Sequence, residues 1–276
     1  MANRTWLEVA LNGPWGQARQ PGIPVRVEDI VAEGVACVHE GAAIVHVHAY
    51  DEASGRQRDD ADTYARIIEG IRAQADCLVY PTIPFGGDHT PASRFAAVEG
   101  LARRGLLECA VVDPGSVNID GFVYLNPYDH IRFGLALAAR HRFTPGYAIY
   151  EPGFLRLGAQ LAREAGAPRP IYRFMFSQGF AFGFPPAEYA LEAYLRLLAD
   201  EAPGAPWMVA GLAVDVLPIA GAAAARGGHV RVGLEDAPFG STLSNVQWVQ
   251  SAGRAIRAAG GGLASAAEVR RALNAN

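Results

Sequence analysis

The segment Ala43-Ile44-Val45-His46-Val47-His48-Ala49-Tyr50 is apolar at its start and polar only toward its C-terminal tip. Helix-period segments flank it, Arg26–Glu40 before and Asp60–Gln74 after. A short apolar run between two amphipathic helices reads as a buried strand of a parallel sheet. Outward from it the same alternation runs to both ends of the chain. The pattern predicts strands at about Trp6–Asn12, Ala43–Tyr50, Cys77–Ile83, Leu107–Asp113, Tyr147–Tyr150, Ile171–Ser177, Trp207–Leu212 and Val230–Glu235. Between and after them it predicts helices at Arg26–Glu40, Asp60–Gln74, Pro91–Arg104, Pro127–His141, Gly153–Ala165, Pro186–Asp200, Asp215–Arg226 and Thr242–Ala259, with Ser265–Leu273 closing the chain.

A strand–helix unit repeated in this way is the pattern of an α/β (β/α)8 TIM barrel, and 276 residues suit a fold that typically needs about 250. Pro91 and Pro186 suit first helical turns, Gly41, Gly105 and Gly227 suit helix stops, and Ser265-Ala-Ala-Glu268 fits a capping box. A doubly wound open sheet is the competing architecture. It usually carries a glycine fingerprint after its first strand, whereas here Asn12-Gly-Pro-Trp-Gly16 follows. With no linker or repeat visible, residues 1–276 read as one barrel domain with a short C-terminal helical extension.

The chain is half hydrophobic, yet no apolar stretch approaches the roughly 20 residues of a membrane span. Its start has no long apolar segment of the signal-peptide type. A net charge of −4 argues against nucleic acid or an anionic membrane as partner. Cys37, Cys77 and Cys109 are odd in number and set in apolar surroundings, as expected of free thiols in a reducing cytoplasm. All 24 basic residues are arginine. Schiff-base, pyridoxal and lysine-carbamate chemistry all require a lysine and are excluded.

Residues two apart on a strand share a face, so His46 and His48 point the same way. By the same rule His229, Arg231, Gly233 and Glu235 share a face of the last strand. The eighth strand lies two staves from the second in a closed barrel. Two imidazoles and a carboxylate then suffice for a catalytic Zn2+ with an open position.

Two longer strings carry a family resemblance. One is Glu40-Gly-Ala-Ala-Ile-Val-His46-Val-His48-Ala-Tyr-Asp51, followed by Gly55 and Arg56. The other is Gly227-Gly-His229-Val-Arg231-Val-Gly-Leu-Glu235-Asp236, followed by Ser244-Asn245 and Ala266-Ala-Glu-Val-Arg270. The chain resembles the β-keto acid cleavage enzymes, exemplified by 3-keto-5-aminohexanoate cleavage enzyme. That resemblance implies a zinc-dependent barrel converting a β-keto acid and acetyl-CoA to acetoacetate and a new acyl-CoA. It implies His46, His48 and Glu235 as metal ligands and Asp236, at the rim, as general base. It also nominates Thr82, Ser116, Asn118, Asn12 and Tyr50 as substrate contacts, and a homo-oligomer, tetramer or dimer, as the working form.

The chain departs from the family pattern in several places. Tyr50 stands where an arginine is usual, and Gly211-Leu-Ala-Val214 lacks the arginine expected to orient the aspartate. Pro14 or Trp15 replaces an acidic residue after the first strand. Gly146-Tyr-Ala148 replaces a Glu-x-Glu pattern, leaving Glu151 three residues on. Ile83-Pro-Phe85 follows Thr82 in place of a glycine pair. Losing carboxylates and gaining Trp15, Tyr50 and Phe85 points away from an ammonium-bearing substrate and toward a less polar one. Two other readings stay open: a metal-dependent hydrolase on the same barrel, and a metal-binding relative without turnover. Of the remaining polar groups, His229 and Arg231 are expected in a layer beneath the metal. His89 is ambiguous between a lid and a solvated loop. Ser177-Gln-Gly179 and the phenylalanines of Gly179–Pro186 suit a coenzyme contact, a subunit contact or a chain turn.

Overall fold

A computed structural model describes residues 4–85 and 88–274. The barrel strands are β1 (Leu7–Ala10), β2 (Ile44–Val47), β3 (Leu78–Pro81), β4 (Cys109–Val111), β5 (Thr144–Ile149), β6 (Ile171–Phe176), β7 (Trp207–Gly211) and β8 (His229–Val232). They form one eight-stranded sheet in the order β3-β2-β1-β8-β7-β6-β5-β4, every recorded pair parallel. Pairing of β1 with β8 makes the sheet wrap round, and β3 and β4 lie alongside each other at the remaining seam. This is the (β/α)8 barrel.

The helices that cover the staves are α1 (Val27–His39), α2 (Ala61–Arg72), α3 (Ala96–Arg103), α4 (Tyr128–His141), α5 (Pro152–Ala165), α6 (Glu188–Glu201), α7 (Leu217–Ala225) and α8 (Asn245–Ala258). They bury apolar faces on the outside of the sheet, as Tyr64, Ile67, Ile68 and Ile71 do in α2, while α7 is apolar all round. Gly41, Gly105 and Gly227 follow their helices with positive φ, as the helix-stop reading expects. The capping box at Ser265 and Glu268 forms at the start of α9 (Ala266–Asn274). That extension lies under the barrel, where Gly262–Leu263 pairs with Arg4–Thr5 and Arg4 grips Glu268 through two hydrogen bonds.

Some local expectations are corrected. Pro91–Arg104 is split at Phe95 into Pro91–Arg94 and α3. Pro186 precedes the α6 N-cap, Ala187, and so lies outside the helix. Two antiparallel hairpins were not foreseen: Tyr50–Asp51 with Arg56–Gln57, and Val117–Ile119 with Phe122–Tyr124. Both rise from the C-terminal ends of staves, which is where a barrel builds its site. Cys37, Cys77 and Cys109 are buried free thiols. Among the described residues no helix is long and apolar enough to cross a membrane.

Candidate active site

β8, β1 and β2 are neighbouring staves, and the small Ala10 of β1 sits between the residues that meet across it. Ala10 is in register with His46, and its carbonyl accepts from the Glu235 N–H at 3.2 Å. Strict alternation would carry Glu235 on the strand, but β8 ends at Val232. Gly233 (φ 136°) turns the chain there, its missing Cβ leaving room for the Ala10 carbonyl, which would lie 2.2 Å from it. Glu235 therefore arrives on a turn, with Arg231 Nη2 3.0 Å from its Oε1. The turn is fixed from outside by Asn245 Oδ1, which accepts from the Leu234 N–H, and by Trp15 Nε1, which donates to the Glu235 carbonyl. Gly13 (φ 65°) passes so close that a Cβ would sit 2.6 Å from Glu235 Cγ.

His46 Nε2 and His48 Nε2 each lie 3.4 Å from a Glu235 carboxylate oxygen, and one ligand atom from each residue falls within 4.8 Å of the others. His48 Nε2 and Glu235 Oε2 are buried without a hydrogen-bond partner. A buried acceptor without a donor is costly unless a cation or proton joins it. The donor set fits a divalent ion with an open position. Burial, against the pull of Glu235, holds the His46 pKa well down. Burial disfavours ionised Glu235, yet His46, Arg231 and His48 outweigh it and hold the carboxyl far below its usual range.

Beneath these groups lies a buried charge cluster. Glu8 of β1 accepts from Arg173 Nε and Nη2, from Arg231 Nη1 and from the Tyr80 hydroxyl. Arg231 also donates to both Asp236 oxygens, at 2.9 and 2.8 Å. Asp236 is thus not at the rim but buried behind the cavity wall, and the arginine that orients it comes from β8 and not from the β7 end, where Val214 stands. Burial raises the Asp236 pKa to about 6 against the pull of Arg231. His229 is not part of this layer. It stacks on Trp6 at 3.9 Å near the opposite end of the barrel, its Nδ1 accepting from the Trp6 N–H.

The cavity above the cluster holds about 580 Å³ of empty space, counting its open mouth. Thr82, Trp15 and Phe85 line it, and the Thr82 hydroxyl makes only a 3.3 Å contact to the Ile83 carbonyl. The other nominated contacts are placed elsewhere. Asn12 is fully buried, donating to the Pro24 and His48 carbonyls and accepting from the His48 N–H, so it clamps the backbone at His48. The Tyr50 hydroxyl donates to the Gly13 carbonyl, and its ring is not in the cavity wall. Ser116 accepts from the Asn126 N–H, and Asn118 is an exposed hairpin residue. Ser177 turns the chain, its hydroxyl donating to the Leu212 carbonyl and accepting from the Phe180 N–H.

Residues missed by sequence reasoning also line the cavity. Asp113, at the end of β4, accepts from the Ala148 N–H and the Tyr124 hydroxyl, while burial raises its pKa. Its place at a stave's C-terminal end was a usable signal. Tyr124 and Tyr150 stand beside it, ring centroids 6.0 Å apart. The position of Tyr124 is not legible in the sequence because its hairpin has no helix or stave periodicity.

Comparison with known proteins finds relatives along most of the chain. A 3-oxoadipate:acetyl-CoA acetyltransferase of Cupriavidus necator is 29% identical over 235 residues, covering 83% of this chain and 79% of its own. A 3-keto-5-aminohexanoate cleavage enzyme of Fusobacterium nucleatum is 26% identical, covering 78% and 76%. Among solved structures, apo ObcA superposes with a TM-score of 0.77 at 16% identity, covering 94% of this chain and 66% of that one. A Yersinia pestis dihydropteroate synthase superposes at 0.59 with 12% identity and 94% of each chain covered, a likeness of barrel alone. The beta-keto acid cleavage enzyme family matches residues 4–274, essentially the whole chain, and the protein is a member of that family.

Proposed function

We propose that the protein is a zinc-dependent acyltransferase that takes a β-keto acid and acetyl-CoA to acetoacetate and a new acyl-CoA. The observation that carries this reading is the convergence of His46, His48 and Glu235 at the barrel mouth with buried, unpartnered lone pairs. Relatives whose names include acetyl-CoA support the co-substrate. Zn2+ held by these three residues would act as a Lewis acid toward a chelated keto acid. Asp236 is the proton acceptor of the reading, held in one orientation by Arg231 through both oxygens. Thr82 offers a hydroxyl to a developing oxyanion at the cavity wall. Trp15, Phe85, Tyr124 and Tyr150 keep water from the reacting groups.

The substrate's far end is uncharged in this reading, which excludes 3-keto-5-aminohexanoate. Val111, Ile119, Phe122, Met175 and Leu212 wall the cavity with apolar surface. Asp113, a carboxylate within that wall, already has a donor on each oxygen. The reading also includes a cytoplasmic homo-oligomer, dimer or tetramer. Buried free thiols suit a reducing compartment, and the exposed Val123, Leu125 and Tyr128 suit contact with a second copy.

The test is acetoacetate release from a panel of β-keto acids by zinc-loaded protein, with and without acetyl-CoA. The expected result is acetyl-CoA-dependent release, lost on chelation and restored by Zn2+. Product formation without acetyl-CoA would support a hydrolase instead, and no turnover of any panel member would sink the reading. Faster turnover of the amino substrate than of neutral acids would overturn the substrate assignment alone.

A further inference from the structure

Outside the reaction cavity lies a second hollow lined by Pro14, Trp15, Arg19, Phe85, Asp120 and Phe122. Pro14, Trp15, Phe85 and Phe122 also line the inner cavity, so the two hollows share a wall. Arg19 and Asp120 face each other across the outer one, 2.7 Å apart and each nearly half exposed.

The two residues differ in how firmly they are held. Arg19 belongs to the loop after β1, and its neighbour Gln20 is fully buried, donating to the Leu234 and Pro238 carbonyls and accepting from the Ser241 N–H. The Arg19 guanidinium lies 4.2 Å from the Phe239 ring centroid and 5.5 Å from that of Trp15. Those rings form a shelf with Phe180, the Trp15–Phe239 centroids being 5.1 Å apart and Trp15–Phe180 6.0 Å. Asp120 sits on the two-residue turn Asp120-Gly121, both with positive φ, at the tip of the exposed hairpin. A cation fixed on aromatic faces thus meets an anion on an exposed hairpin tip. Exposed ion pairs of this kind contribute at most about 1 kcal/mol, so an anionic ligand can displace Asp120.

We infer that Arg19, on its aromatic shelf, is the docking point for the phosphate groups of the acyl-CoA co-substrate, and that phosphate takes the place of Asp120 on binding. This rests on the acetyl-CoA reading given above. A polyanionic thioester approaches a chain of net charge −4 and needs a local cation, and Arg19 stands in the hollow that shares a wall with the reaction cavity. Arginine suits phosphate because its fork donates in pairs.

The competition makes the two partners' variants move in opposite directions. Arg19→Gln is expected to raise KM for acetyl-CoA about tenfold, with a much smaller change for S-acetylpantetheine, which has no phosphate. Arg19→Lys should restore part of the loss. Asp120→Asn is expected to lower KM for acetyl-CoA by about two- to fivefold, since the competing anion is gone. Dephospho-coenzyme A as a competitor separates the sources: equal weakening by Arg19→Gln of both coenzymes assigns the diphosphate, and weakening of the full coenzyme alone assigns the 3′-phosphate. A rise in KM for both variants, or equal losses with acetyl-CoA and S-acetylpantetheine, shows a mere latch and overturns the inference. Titration calorimetry of coenzyme A into wild-type protein keeps the two levels apart. Binding that Arg19→Gln leaves untouched overturns the docking point alone, while no binding and no acetoacetate overturns the acetyl-CoA reading with it.

Discussion

Gln57 Oε1 lies 2.8 Å from His48 Nδ1, while Gln57 Nε2 donates to both oxygens of Asp59 at 3.0 and 2.8 Å. A carboxylate only accepts, so the Gln57 amide has one orientation and its oxygen must accept from His48. Nδ1 therefore carries a proton, so in the neutral ring the Nε2 lone pair is the one on the Glu235 side, free for a metal ion.

Replacing Gln57 with Leu removes that selection of tautomer. Zinc affinity is expected to fall by about 10–100-fold, read by competition with a chromophoric chelator. Unchanged affinity would show that the ring needs no outer partner.

Gly233→Ala puts a Cβ at positive φ against the Ala10 carbonyl. A loss of about 2–4 kcal/mol is expected by denaturant unfolding, because rigid backbone stands in the way and not a side chain that can move aside. A variant within 0.5 kcal/mol (roughly the spread for surface changes) would mean that the turn is looser than its geometry indicates.

Asp236→Asn keeps the size of the side chain and part of its hydrogen bonding to Arg231 while removing the charge. Under the proposed chemistry kcat falls by about 10²–10⁴-fold with bound zinc unchanged. Retained turnover at wild-type zinc content would remove Asp236 from the proton-transfer role. Arg231→Gln is a harsher change, leaving Glu8, Glu235 and Asp236 short of a buried cation, and should cost about 3–5 kcal/mol of stability.

His229 links stability to pH. Burial pushes its pKa down to about 3, so the folded protein holds it neutral where the unfolded chain, with a pKa near 6.5, takes up a proton. Its contribution is complete above about pH 6.5 and is lost as pH falls toward about 3, at up to ~1.4 kcal/mol per pH unit. His229→Asn should flatten the unfolding free energy by that slope between pH 6 and pH 4 (roughly the middle of the window). Parallel wild-type and variant curves would refute the linkage.

Much of the barrel is legible in the sequence, because alternating apolar runs and amphipathic helices are local signals. The eight staves fall where the apolar runs lie, and glycine stops such as Gly41 end helices as read. Both hairpins escaped notice, since Tyr50–Asp51 and Arg56–Gln57 are too short to show a period. Face-sharing on a strand paired His46 with His48 correctly, but the same rule misdescribed Glu235, which a turn at Gly233 delivers.

The chain order of strands and helices, the His46–His48 pair and the absence of lysine are properties of sequence alone, since each depends on residues near one another or on composition. Which polar groups meet was decided by folding. Asp113 reaches Tyr124, Arg231 reaches Asp236 and Glu8, and Asn12 turns to the backbone of His48 instead of a substrate. Buried donors and acceptors take whichever partner the packed staves bring within about 3 Å, and no local pattern records that distance.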